Sequence, residues 1–215
     1  MVAKNVPLQK DYPVLFHAYK LFLGMKEVKC NKCGNEFDSN EPEIKCKCGS
    51  EDLKITNERR KNTILHCHTN PEELDGYNLN MMVERFGLEG NVFFTQGHNS
   101  NFTMPPKRMA ELYNWADCLC MASTGESFSL PLIEAMACGK PVISMNFSAP
   151  IELITNSGAG LLAEIKGTFT TKLMSDLCFI DELSYAKCMG KIYEDEKLRE
   201  RLSANALKLT LMRKV

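Results

Sequence analysis

From residue 64 to residue 165 the chain alternates short apolar runs of strand length with segments of helical period. That alternation leaves few architectures open. The runs 64–68, 92–95, 117–121, 141–145 and 160–165 read as strands. The segments 79–86, 107–115, 129–138 and 151–154 read as helices, with Gly87 and Gly139 as stops after two of them. A strand that returns through a helix runs parallel to its predecessor, and the helices then cover both faces of the sheet. The expected fold class is therefore α/β, a Rossmann-like doubly wound parallel sheet. Residues 11–26 precede it as a helix with Val14, Leu15, Ala18, Leu21 and Phe22 on one face, Asp11 as cap and Pro13 in the first turn. The tail, 181–213, is helical, with Leu198, Leu202, Ala206 and Leu209 as its apolar stripe.

Residues 27–55 break the pattern, being polar, charged and cysteine-bearing. Cys30, Cys33, Cys46 and Cys48 form C-x2-C-x12-C-x-C, and each pair is followed by a glycine, Gly34 or Gly49. Four thiolates close a tetrahedral site with no open position, so the ion expected here is structural Zn2+. The domain organisation is then a main domain of 1–26 and 56–215 with a zinc-ribbon insertion at 27–55. The other six of the ten cysteines are scattered. A disulfide framework belongs to small secreted domains, so reduced thiols and a cytoplasmic location are expected.

With 26 basic and 27 acidic side chains, the composition lacks the basic excess of a nucleic-acid binder. The ribbon is mixed in charge as well, with Glu41, Glu43 and Glu51 among Lys29, Lys32, Lys45 and Lys47. No nucleic acid partner is expected. Nor is a transmembrane segment, since no apolar run approaches the ~20 residues that one requires.

The richest stretch runs from Thr124 to Ile143 as TGESFSLPLIEAMACGKPVI. Glu126 and Glu134 stand with seven residues between them, across a loop that turns into a helix carrying Pro131 in its first turn. Free N–H groups at such a start attract an anion, and the helix dipole reinforces them. Carboxylates on either side accept hydrogen bonds from sugar hydroxyls. On spacing alone, two glutamates so placed are common. The surroundings decide the matter. The stretch resembles the E-x7-E region of the GT-B glycosyltransferases of family 4, whose pattern reads EGFGLPxxEAMAxGxPVI. The similarity continues upstream through 112–117 and downstream through 150–154 and 160–162, covering nearly everything outside the insertion.

The resemblance implies a role for each matching residue. Glu126 would contact the donor sugar and Glu134 the nucleotide ribose. The N–H groups of Phe128, Ser129 and Leu130 would cradle the diphosphate. Lys4 and Lys10 occupy the places of an Arg and a Lys that neutralise this diphosphate. Lys4 brings a point charge where the family has a planar bidentate group. Ser129 stands where the family has its second glycine, and serine there is expected to take a negative φ. His66 and His68 read as core and loop histidines, and His98 and Asn99 as loop residues near the base.

The implied activity is transfer of a hexosyl group from a nucleotide diphosphate sugar with retention at the anomeric carbon, without a catalytic divalent metal. Only Met1, Val2 and Ala3 precede the Lys4 region, where the family has a strand. The N-terminal acceptor domain is missing from the sequence, to be supplied in cis or in trans. The isolated chain is expected to bind nucleotide sugar weakly and to transfer slowly. The competing expectation is a catalytically inactive adaptor that recruits a partner through the ribbon. A GT-B sugar-nucleotide epimerase fits the loop less well.

Overall fold

A computed structural model describes residues 5–7, 9–39, 45–57, 62–95 and 104–212. Lys4, His98, Asn99, Glu41 and Glu43 lie outside these residues.

Helix α1 (Tyr12–Gly24) begins where expected, with the Asp11 carboxylate accepting the Val14 N–H at 3.3 Å. The cysteine-bearing segment follows directly. Strands β1 (Lys26–Cys30), β2 (Glu36–Ser39) and β3 (Leu53–Asn57) form an antiparallel sheet in the order β2-β1-β3.

The alternating region then runs β4 (Leu65–Cys67), α2 (Leu79–Phe86), β5 (Val92–Phe94), α3 (Pro106–Trp115), β6 (Leu119–Cys120), α4 (Leu130–Ala137), β7 (Val142–Met145), α5 (Ala149–Ser157) and β8 (Gly160–Ala163). Every pairing within it is parallel, as the alternation requires. Among the described residues the strands fall into two groups, β4-β5 and β6-β7-β8. Gly160 is required by the β7–β8 approach, since a Cβ there would lie 2.3 Å from the Val142 carbonyl oxygen.

Two features were not anticipated. Strand 160–165 divides, and residues 165–180 form an antiparallel hairpin, β9 (Ile165–Thr170) and β10 (Asp176–Ile180). Its turn carries Met174 at φ 59°, where the usual signal would be Gly or Asn. The tail is two helices, α6 (Glu182–Glu194) and α7 (Glu196–Met212), separated at Asp195. Helix α6 is capped by Asp181, which accepts the Ser184 N–H at 2.7 Å.

The core is centred on α1, whose Tyr12, Leu15 and Phe16 are fully buried along with Met121, Ile143 and Tyr185. Helix α1 packs on α6 and α2, and α7 covers α4 and α5. Of the stripe read from the tail, Leu202 and Ala206 are buried, while Leu198 and Leu209 pack at the core margin. Among the described residues, no helix is long and apolar enough to cross a membrane.

Candidate functional site

The segment ahead of α1 lies antiparallel to the segment following β6. The Asp11 N–H donates to the Ala122 carbonyl at 2.9 Å, and the Thr124 N–H donates to that of Gln9 at 3.0 Å. Lys10 is thereby set opposite Ser123 in an isolated bridge. Its ammonium donates to the Ser123 hydroxyl at 3.3 Å and forms an ion pair with Glu126. The two side chains are 17% and 13% exposed, so the pair is largely withdrawn from water. The main chain of Glu126 is held from the opposite side. Its carbonyl accepts the Ser148 hydroxyl at 2.5 Å and the Ala149 N–H at 3.3 Å, at the start of α5. Glu126 is thus fixed between the beginnings of two helices.

Ser129, the residue before α4, corrects the sequence expectation. It adopts φ 60° and ψ 67°, the left-handed conformation, rather than a negative φ. The loop must reverse sharply to deliver the Leu132 N–H to the Ser129 carbonyl at 3.0 Å. The chain makes this turn despite lacking glycine, at a cost of about 1–2 kcal/mol. Ser129 is 4% exposed, and its hydroxyl has no hydrogen-bond partner among the described residues. The N–H groups of Phe128, Ser129 and Leu130 likewise donate no hydrogen bond among the described residues. Phe128 and Leu130 are solvent-exposed on either side.

Glu134 lies one turn into α4 with an exposed carboxylate that accepts the Tyr113 hydroxyl at 2.8 Å. Burial first, and then this bond to Glu134, pushes the Tyr113 hydroxyl pKa up. The bond ties α4 to α3. The structure therefore joins Lys10 to Glu126 directly, places 128–130 at the adjoining helix start, and sets Glu134 a turn further on. The hairpin borders this loop: Cys178 N–H donates to the Thr124 carbonyl at 2.8 Å, and Leu177 lies against Gly125.

Sequence reasoning passed over Ser123, Ser148 and Tyr113. Ser148 carried a signal, being a serine two residues before Pro150 at a helix start. Ser123 and Tyr113 carried none.

The four cysteines Cys30, Cys33, Cys46 and Cys48 converge. Their sulfurs all lie within 4.8 Å of one another, with Cys30–Cys48 at 3.7 Å and Cys33–Cys46 at 3.5 Å. Disulfides would be near 2.05 Å. A tetrahedron with metal–sulfur bonds of about 2.3 Å has edges of about 3.8 Å, so the spacing fits a four-thiolate metal centre. Gly34 and Gly49 make the two turns in left-handed conformation, donating to the Cys30 and Cys46 carbonyls at 2.8 Å each. The N–H of Cys33, followed by that of Lys32 and the neighbouring thiols, holds the Cys30 thiol down at about 6 against its desolvation. For Cys33 the Asn35 N–H acts downward, but the three neighbouring thiols outweigh it and push the thiol up to about 12.

His66 Nε2 and His68 Nδ1 both meet Thr95 Oγ1, at 3.0 and 2.8 Å. Burial lowers the His66 pKa. Both rings are thereby placed in the packing between β4 and the end of β5.

Residues 53–173 match the model of the glycosyl transferases group 1 family. The probable sucrose-phosphate synthase of Thermosipho melanesiensis is 29% identical over 140 residues, covering 62% of this chain and 31% of that protein. The D-inositol 3-phosphate glycosyltransferase of Rhodococcus erythropolis is 39% identical over 59 residues, covering 27% of this chain and 13% of that protein. The chain spans less than a third of the length of these relatives. Among solved structures, the C-terminal domain of the group 1 protein LpcC from Francisella tularensis superposes with a TM-score of 0.62 at 19% identity, covering 99% of this chain and 83% of that one. Anabaena HepE in complex with UDP gives 0.58 at 19% identity, covering 99% and 44%. The fold is thus that of a GT-B C-terminal, Rossmann-like domain, and the chain belongs to the group 1 glycosyltransferase family.

Proposed function

We propose that this chain is the donor-binding half of a retaining glycosyltransferase. Residues 1–26 and 56–215 form the nucleotide-sugar domain and residues 27–55 a structural zinc ribbon. The observation that carries the reading is the Lys10–Glu126 ion pair beside the start of α4. It puts one cation and one carboxylate next to a row of N–H groups, a combination suited to a diphosphate joined to a sugar. The amides of Phe128, Ser129 and Leu130 take the diphosphate, Glu134 the ribose and Glu126 the sugar. HepE, a structural neighbour, is known with UDP and with UDP-glucose, which supports a donor of this class.

In the reaction an acceptor oxygen bonds to the anomeric carbon as the bond to the diphosphate oxygen breaks. Lys10, with Lys4 and the helix start, stabilises the charge that gathers on the departing diphosphate. The ribbon cysteines hold one Zn2+, which supplies folding energy and no chemistry.

The adaptor reading draws on the loss of glycine at position 129. The left-handed backbone kept by Ser129 speaks against decay of the loop. The test is a thermal-shift panel of UDP-, GDP- and ADP-sugars on the zinc-loaded chain. One nucleotide series should raise the melting temperature in the wild type and fail to do so in Lys10→Ala. No shift from any series would favour the adaptor.

A further inference from the structure

Lys10 and Glu126 are the charged groups that the structure joins at the candidate site, and each neutralises the other. An ion pair in contact looks nearly neutral from a few ångströms away, so the site as it stands offers a diphosphate little net positive charge. What remains is the attraction of the N–H groups at the start of α4.

The two partners differ in freedom. The loop that carries Glu126 is tied at each residue. Thr124 donates its N–H to the Gln9 carbonyl and accepts the Cys178 N–H, and Leu177 lies against Gly125. Glu126 itself is pinned by Ser148 and Ala149. A serine at the N-cap of a helix ordinarily accepts an N–H of the first turn. Ser148 makes no such bond, and its hydroxyl donates to the Glu126 carbonyl at 2.5 Å instead. It holds φ 59° and ψ −150°, a region almost confined to glycine. Helix α5 thus forgoes a side-chain cap, and the backbone carries strain, at the residue that fixes Glu126. Lys10, by contrast, bears its charge on a flexible four-carbon stem. Its ammonium has three donors, and Ser123 and Glu126 take two of them. The lysine can swing to a phosphate while the carboxylate stays in place.

That swing leaves the Glu126 carboxylate without its cation in a place mostly withdrawn from water, which is unfavourable. The hydroxyls of a donor sugar compensate, since each can donate to the carboxylate. A free nucleoside diphosphate brings no such hydroxyls to that end of the site. Its terminal phosphate also carries one more negative charge than in the donor, because the oxygen keeps the electron pair when its bond to the sugar breaks. With the sugar gone, this phosphate and the bare carboxylate repel each other.

We propose that the Lys10–Glu126 pair is a gate that tells donor from product. It is closed on the empty site and opens when diphosphate and sugar arrive together. After transfer it closes again and expels the nucleoside diphosphate. Glu126 thereby sets the preference for a nucleotide sugar over the free nucleoside diphosphate. The gate rests on the donor-half reading and adds to it a coupling between recognition of the diphosphate and recognition of the sugar.

The test is calorimetric titration of the zinc-loaded chain with UDP, GDP and ADP and with UDP-glucose, GDP-mannose and ADP-glucose. Wild type, Glu126→Gln and Glu126→Asp are compared. For the base that binds, Glu126→Gln should tighten the free nucleoside diphosphate about tenfold, because Lys10 is no longer engaged, and weaken the nucleotide sugar about tenfold. A role in packing alone would move both affinities in one direction or neither. Glu126→Asp keeps the charge but falls short of Lys10 from its pinned main chain. It should shift both affinities the same way by a smaller factor, and it serves if Glu126→Gln is too unstable to titrate. A nucleoside diphosphate bound equally well or more weakly by the folded variants would overturn the gate. That result, with the nucleotide sugar still weakened, would leave the donor reading standing. No ligand of the six bound by the folded wild type would remove the donor reading and the gate with it.

Discussion

Lys10 and Glu126, 116 residues apart in sequence, share one ion pair where the segment before α1 meets the loop before α4. The pair is mostly withdrawn from water, so each charge depends on the other. Removing one partner of such a pair costs about 2–4 kcal/mol, because the remaining charge is left desolvated. Lys10→Met and Glu126→Gln should each destabilise by a smaller amount, about 1–2 kcal/mol, since some solvent still reaches both groups. The double variant should cost less than their sum. A urea-unfolding cycle reads the coupling directly, and strictly additive losses would show that the pair does not act as a unit.

Ser129→Gly should stabilise the chain. It relieves a left-handed serine, worth about 1–2 kcal/mol, and removes a buried hydroxyl without a described partner, worth about 1–3 kcal/mol. Added glycine entropy offsets about 0.5–1 kcal/mol. Even at the low end of these ranges the net gain is about 1 kcal/mol, which corresponds to a melting temperature about 2–4 °C higher. Nucleotide-sugar affinity should stay within about twofold, because glycine holds the same backbone conformation. A fall in both stability and affinity would mean that the hydroxyl has a partner of its own.

The ribbon should contain one Zn2+ per chain, and chelation should unfold β1–β3 while the parallel strands persist. Hydrogen exchange resolved by segment checks this. In the metal-free chain the exposed Cys33 and Cys48 should alkylate faster than the buried Cys30 and Cys46. Added zinc should suppress both reactions. Equal rates, unaffected by zinc, would argue against a four-thiolate centre.

Glu134→Gln and Tyr113→Phe separate binding from packing. Both remove the ion-to-hydroxyl bond of 2.8 Å between α3 and α4 in its present form. Each should therefore lower stability by only about 1 kcal/mol. Glu134→Gln alone removes the carboxylate assigned to the ribose, so only it should weaken nucleotide-sugar binding, by about tenfold or more. Equal binding losses in the two variants would place the effect in helix packing.

The fold was legible wherever periodicity was strong. Leu79–Phe86 was bounded correctly because Asn78 and Gly87 cap it with their usual chemistry, and the β–α alternation dictated parallel pairing. The hairpin 165–180 was not legible, because Met174 takes the left-handed turn position without a glycine or asparagine to announce it. Ser129 shows the same limit at the candidate site. A left-handed serine is set by the loop that must close around it, and residue identity alone argued for the opposite sign of φ. The cysteine cluster was legible from spacing, because two short turns bring four sulfurs together with little help from the rest of the chain. The pairing of Lys10 with Glu126 and that of Tyr113 with Glu134 are long-range products of packing, and no local pattern announces them.

Calorimetric titration of the zinc-loaded chain with UDP-glucose, GDP-mannose and ADP-glucose, in the wild type and in Glu134→Gln, tests the donor assignment most directly. The expected result is saturable one-to-one binding of one of these in the wild type, weakened about tenfold or more in the variant. Binding of equal strength in both proteins would put the nucleotide elsewhere. No binding by a folded wild-type chain would contradict its assignment as a donor-binding half.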